Sequence, residues 1–354
     1  MKERDYCFLL AGMEGFSPLI LRRLLGLYGG AEQVFKQESL PVSEGRQAAF
    51  AAGKAQAAER LRQRDQWEKV GIRWCWYGDP DYPARLNHLP DSPLGLYYRG
   101  RLPEENIPAV AIVGARRCSP YGRAMAERFG KGLGERGIQI ISGMALGVDG
   151  HAQQAALDAG GRSFGILGCG VDICYPPSHQ KLYETLAEKG GLISELPPGT
   201  PPLAHHFPLR NRLIAAFSDL LLVLEAREKS GSLITVDQAL EQGKDVLALP
   251  GRVGDELSAG CNQLIRQGAG LLSCCGDVYE LLGLEEGASK RLRSPLSLTP
   301  PQQLLYRQMG AGPRHVEELM LACDLELGPL SLILLELENL GLIRQISSGS
   351  YIRC

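Results

Sequence analysis

Apolar and polar positions follow three rhythms along this chain. From residue 1 to about 75 the spacing is helical. Residues 17–25 open with Ser17 as N-cap and Pro18 at the first helical position, and the run ends near Gly29 and Gly30. A second helix is predicted over 44–69, rich in Ala, Gln, Arg and Glu. The pair resembles a small helix-hairpin-helix (SAM-like) bundle over 1–77. Residues 12–16, Gly-Met-Glu-Gly-Phe, lack the usual glycine hairpin of such DNA-backbone binders, so the apolar faces read first as a packing domain.

Residues 78–107 read as a linker. Gly78, Asp79, Pro80, Asp81, Tyr82 and Pro83 are turn chemistry, and each proline biases its predecessor away from the helical region. The pattern then changes. From 108 to 283 short apolar runs alternate with helical ones: strands are predicted at 109–113, 138–141, 163–167, 192–194, 220–224 and 246–249, with helices such as 122–136 and 178–189 between them. Uniformly apolar strands separated by helices predict an α/β domain, a Rossmann-like doubly wound parallel sheet covered on both faces. A polar linker is expected at 284–299. Residues 300–354 read as three helices and a closing hairpin, the outline of a winged helix.

Length and composition narrow the class. At ~150 residues per domain, 354 residues suggest two or three domains. Hydrophobic residues are 44% and charged residues 22%, ordinary globular usage that excludes extended disorder. No run approaches the ~18 apolar residues of a membrane span, and the charged start, Lys2 to Asp5, is not a secretory signal. A cytoplasmic protein without a membrane partner is expected. The ten cysteines form no CxxC pair, so neither a zinc site nor a disulfide framework is expected. Net charge is −2, which excludes a uniformly basic coat and leaves room for a local basic cleft.

In an open parallel sheet ligands bind beyond the carboxyl ends of the strands. Glycines, small hydroxyls and arginines recur there: Gly114 to Arg117 after the first strand, Ser142 to Asp149 after the second, Gly168 after the third, Phe207 to Arg212 after the fourth, and Ser230 to Thr235 after the fifth. Glycines let backbone N–H groups approach an anion, helix N-termini add positive dipole, and arginine forks grip phosphate oxygens. Together they predict an anion site wide enough for more than one phosphate. Singly they are weaker. Arg116 and Arg117 also fit a plain surface, Ser142 and Gly143 a turn, and Phe207 either a core plug or a ring for base stacking. Asp149, Asp172 and Glu195 fit acid chemistry or loop bracing. His205 and His206 read as loop residues, because no neighbour completes a metal set.

Several enzyme readings fail. No G-x-G-x-x-G follows the first strand and no G-x-x-x-x-G-K-[ST] exists, so dinucleotide and Walker-type sites are unsupported. Residues 161–165 match G-x-S-x-G but enter a strand, so Ser163 is not a nucleophile.

The ordered motifs 112–114, 142–149, 207–212, 230–235, 249–251 and 260–265, with Asp81-Tyr82-Pro83 upstream, resemble the DNA-processing protein A family, DprA, also called Smf. The resemblance covers the whole Rossmann-like part. It implies single-stranded DNA binding, homodimerisation, and loading of the RecA recombinase onto incoming DNA in natural transformation, with no cofactor, no metal and no catalytic residue. It further implies that Arg116, Arg210, Asn211 and Arg212 hold the DNA backbone, that Ser142, Gly143, Gly147, Ser230, Gly231 and Ser232 give small-residue and main-chain contacts, and that Phe207 lies beside a base. Gly114, Arg117, Asp149, Gly168 and Thr235 complete the expected DNA-binding set. One departure is Gln153, where the family commonly carries a histidine four residues after the loop aspartate; here a histidine stands at 151 instead.

The alternative reading is a nucleoside-monophosphate phosphoribohydrolase on a related fold. Its P-G-G-x-G-T-x-x-E signature aligns with 230–237, where the glutamate is missing. From Arg314 to Gly341 the chain has one basic residue, Arg314, against six acidic ones. A recognition helix for the major groove should be basic, so this winged helix is expected not to read duplex DNA.

Overall fold

The helical spacing at the N-terminus folds, in the computed structural model, into α1 (Glu3–Ala11), α2 (Pro18–Tyr28), α3 (Ala31–Lys36), α4 (Glu44–Ala55) and α5 (Ala57–Lys69). The structure describes residues 1–284, 299–309, 314–323, 325–339, 342–347 and 349–353. Helix α2 begins and ends as its sequence dictates: the Ser17 hydroxyl accepts from the Ile20 amide, and Gly29 closes it in the left-handed region at φ 82°. The single helix expected over 44–69 is two, broken at Gln56. No Gly or Pro marks the break; packing sets it, since Phe50 of α4 and Trp67 of α5 reach the same core around Phe8 from different directions.

Strands β1 (Ile72–Trp76) and β2 (Gly95–Gly100) follow, then β3 (Ala109–Val113), β4 (Gln139–Ser142), β5 (Ser163–Ile166), β6 (Gly191–Ser194), β7 (Leu220–Val223), β8 (Asp245–Ala248) and β9 (Gly270–Leu271). They form one sheet in the order β1-β2-β6-β5-β4-β3-β7-β8-β9, parallel from β6 through β9 with β1 and β2 antiparallel at one edge. The helices are α6 (Pro120–Glu135), α7 (Val148–Asp158), α8 (Gln180–Lys189), α9 (His206–Phe217), α10 (Gly231–Glu241), α11 (Glu256–Arg266) and α12 (Cys275–Leu281). Strand β3 shows why helices cover both faces. Ala109, Ala111 and Val113 pack with residues of α9 and α10, whereas Val110 and Ile112 pack with α6 and α7. The expected doubly wound architecture is observed.

The segment 78–107, expected as a linker, instead carries β2, which hydrogen-bonds to β6. The turn chemistry at 78–83 is real, but it makes the β1–β2 connection: Asp79 accepts from the Trp76 amide, and buried Tyr82 donates to the Pro93 carbonyl at 2.6 Å. The N-terminal helices share a core with β1, β2 and Val171, so residues 1–288 form one compact unit and 289–354 another.

Apart from Leu284 and Thr299, the linker expected at 284–299 lies outside the described residues. The second unit contains α13 (Pro300–Gln308), β10 (Arg314–His315), α14 (Val316–Cys323), α15 (Leu327–Asn339), β11 (Ile343–Ser347) and β12 (Ser350–Arg353). Its small sheet runs β10-β12-β11, and Leu305, Leu319, Leu330, Leu334 and Ile343 make its core. This is the expected winged helix, with β10 as an added strand.

Candidate nucleic-acid interface

The strand order reverses direction between β3 and β7, and at that switch the loops after β3 and β4 diverge from those after β7. A cavity of about 610 Å³ opens there, lined by loops following β3, β4, β5, β6 and β7. Arg116, Arg210 and Ser230, from three separate segments, share its wall.

From the loop after β3 come Gly114, Arg116 and Arg117; both arginines are exposed. The loop after β4 works from beneath. Ser142 is fully buried and its hydroxyl donates to the Ile112 carbonyl at 2.6 Å, so it ties β4 to β3 rather than facing a ligand. Gly143 donates its amide to Asp149 and accepts from Arg210 Nη1, each at 3.1 Å. Gly147 sits at φ 76°, where a Cβ would press on the backbone of Ala115 and lie 2.7 Å from the Arg116 carbonyl oxygen. Its bareness lets the β4 loop touch the β3 loop, and the Val148 amide donates to the Ala115 carbonyl at 3.2 Å. Gly168 seats the Phe207 ring: a Cβ there would lie 2.9 Å from the ring edge. Ser142, Gly143, Gly147 and Gly168 therefore shape the cavity without lining it.

Helix α9 supplies Phe207, Arg210 and Asn211 to the cavity. Arg210 is 7% exposed, and its Nη1 also donates to the Ile166 carbonyl. Burial lowers its pKa to about 10, against the pull of the nearby Asp149 carboxylate, so it remains a cation at neutral pH. Burial likewise raises Asp149, while Arg210 and the hydrogen bond from the Gly143 amide oppose the rise. The third member of the trio departs from expectation. Arg212 does not reach the cavity; it is buried against Asp91, at 2.6 Å, and Glu195, at 2.7 Å. Two residues along a helix is a turn of ~200°, so Arg210 and Arg212 cannot serve one face.

Helix α10 begins at the cavity. The Ser230 hydroxyl caps it by accepting from the Ser232 amide at 3.3 Å, and Gly231, Ser232 and Thr235 line the wall beside it. Gly231 has open space around its Cα. The sequence reading missed Tyr175, Arg227 and Lys229, all exposed and all lining the cavity. Arg227 and Lys229 stand just before Ser230, so a scan for basic residues beside that turn would have found them. The acids divide as braces: Asp172 accepts from the Gly199 amide at 2.9 Å, Glu195 holds Arg212, and Asp149 holds the β4 loop. Gln153 is buried and donates to the Ser163 hydroxyl and the Phe164 carbonyl, which makes it a core residue that does not line the cavity. No group of His, Cys, Asp and Glu among the described residues could hold a metal ion, and no helix among them is long and apolar enough to cross a membrane.

The wall thus carries Arg116, Arg117, Arg210, Arg227 and Lys229 against the single carboxylate of Asp149, which is already engaged. Such a wall is electropositive.

The chain is similar to known proteins in sequence and in fold. A family model described as DNA recombination-mediator protein A matches residues 73–283, and a DprA winged helix domain model matches 289–349. Protein Smf of Synechocystis sp. is 30% identical over 398 aligned positions, covering 99% of each chain. DNA processing protein DprA of Streptococcus pneumoniae is 42% identical over 200 residues, 56% of this chain and 71% of the relative. The X-ray structure of DprA from Streptococcus pneumoniae superposes with a TM-score of 0.68 at 32% identity, covering 80% of this chain and 98% of that one. DNA processing protein A from Helicobacter pylori, whose structure is described in terms of a unique single-stranded DNA binding mode, gives a TM-score of 0.53 at 30% identity over 59% of this chain and 95% of that one. This chain belongs to the DprA/Smf family of DNA-processing proteins.

Proposed function

We propose that this chain binds single-stranded DNA along the rim of its parallel sheet and, as a homodimer, protects incoming strands and passes them to the RecA recombinase during DNA uptake and recombination. The observation that carries the binding step is the convergence of five basic side chains from three segments on one cavity whose single carboxylate among the described residues is buried and engaged. Guanidinium and ammonium groups hold phosphates, and the cavity's aromatic rings suit unpaired bases, which a duplex would keep stacked inside. The single-stranded DNA binding mode described for the Helicobacter pylori relative and the family membership support the same reading. The role is one of binding and transfer, without catalysis. The handover to RecA and the homodimer follow from the family resemblance.

The winged helix takes no part in reading duplex DNA in this proposal. Residues 316–339, which include α14 and α15, contain no Lys or Arg, and α15 presents Leu332, Leu335 and Glu336 to solvent. A major-groove helix lives on phosphate and base contacts from cationic side chains.

The test is fluorescence anisotropy with an oligothymidylate and with a duplex of equal length over a salt series, followed by RecA assembly on the oligonucleotide with and without the chain. Preference for the single strand, with affinity falling as salt rises, is expected, as is faster RecA assembly. Equal affinity for both forms overturns the binding reading. Release of free base from nucleoside monophosphates would replace it with the phosphoribohydrolase.

A further inference from the structure

Phe207 and Tyr175 line the same cavity, with ring centres 5.5 Å apart and planes tilted by 34°, but their surroundings differ. Phe207 is occupied by its own protein. Gly168 lies under its edge, and the guanidinium carbons of Arg116 and Arg210 lie 5.6 and 5.8 Å from its ring centre. At that range the negative face of a ring attracts a cation. Phe207 therefore packs with two arginines, Arg116 from the loop after β3 and Arg210 one turn along its own helix. Tyr175 is 38% exposed; among the described residues its ring meets Phe207, no cation lies over it and no group takes its hydroxyl. It is the more open of the two rings on this wall.

We propose that Tyr175 is the platform on which a base stacks, and that Phe207 is a positioning residue that orients Arg116 and Arg210 toward the phosphates. This inference rests on the single-stranded DNA reading above and changes the assignment the family resemblance suggested, which put the base beside Phe207. A stacking platform needs an open aromatic face and tolerates any base, because every base has one. Tyr175 follows Cys174 in the loop after β5, beside the basic wall, where a nucleotide held by its phosphate at Arg116 or Arg210 can lay its base down.

The experiment compares an oligothymidylate with a strand of equal length built of abasic residues, by anisotropy at fixed salt, for the full chain and three variants. The unsubstituted protein is expected to prefer the thymidylate by roughly 5- to 150-fold, the range for one stacked base. Tyr175→Leu keeps apolar bulk without a π face and should bind both strands alike, at the abasic level. Tyr175→Phe should keep the full preference. Phe207→Leu should weaken both strands by the same factor, leaving the preference intact. A full preference in Tyr175→Leu, or a preference lost in Phe207→Leu and kept in Tyr175→Leu, overturns the assignment. If the unsubstituted protein binds neither strand, the DNA reading itself fails. If it binds both equally, only the stacking platform fails.

Discussion

Arg210 and Arg212 stand two residues apart on α9 and point to opposite sides of it. The Arg210 guanidinium holds the carbonyls of Gly143 and Ile166 at the cavity, while Arg212 is clamped between Asp91 and Glu195 on the far side. One faces the candidate ligand and the other joins the β2 approach to the sheet. Arg212→Ala is expected to lower stability by about 2–3 kcal/mol, somewhat below the cost of breaking a fully buried pair because Asp91 is half-exposed. Urea denaturation reads this, and single-strand affinity measured on the folded fraction should be unchanged. A large affinity loss with unaltered stability would reverse the assignment.

Arg116 is the cleaner probe of the phosphate site than Arg210. It is exposed and pairs with no carboxylate among the described residues, whereas removing Arg210 leaves buried Asp149 without its counter-charge. Arg116→Ala should leave the melting temperature in place and reduce the slope of log affinity against log salt by about 0.7, the loss of one phosphate contact to a single strand. Lys229→Ala should do the same, and the pair should be close to additive in the slope. Anisotropy titrations at a series of salt concentrations decide it, and a slope unchanged in both variants counts against the rim.

Gly147 couples two loops through its lack of a side chain. At φ 76° any other residue is strained by roughly 1–2 kcal/mol, and its Cβ would also press on the backbone of Ala115 and Arg116. Gly147→Ala should therefore lower stability by more than that strain alone and displace Arg116, weakening DNA binding as well. Gly231→Ala is the control: its Cα faces open space, and stability should hold. Melting curves beside anisotropy separate the two effects.

Asp149 gives a pH signature. Burial raises its folded pKa above the ordinary carboxylate value, with Arg210 and the hydrogen bonds opposing. Between the unfolded and the raised folded value the folded state binds the proton more tightly than the unfolded chain. Asp149's own contribution to stability is therefore greatest at low pH and falls as pH rises through that window. Asp149→Asn removes the titration, so the difference in unfolding free energy between the two proteins should change as pH rises above the ordinary carboxylate range, with the unsubstituted protein losing ground. A difference that is flat across the range would show that Asp149 keeps its ordinary value.

The amino-acid sequence by itself determined the class and order of the elements. Short uniformly apolar runs at 109–113 and 220–224, alternating with helical runs, read as strands covered on both faces, and Ser17 and Pro18 mark a helix start. It also determined that glycine turns and basic residues recur after those strands, because that pattern lies in local residue types. Tertiary structure decided the rest. Only the fold shows that 78–107 adds a strand to the sheet, since pairing of β2 with β6 joins residues about a hundred positions apart. Only the fold separates Arg210 from Arg212 and sinks Ser142 under the cavity it was expected to line, because burial is a property of neighbours brought in from elsewhere. Tyr175 reached the wall in the same way, with nothing in its own segment to mark it, and although Arg227 and Lys229 stand beside the Ser230 turn, it is the meeting of separate loops at the sheet's switch point that places these side chains together.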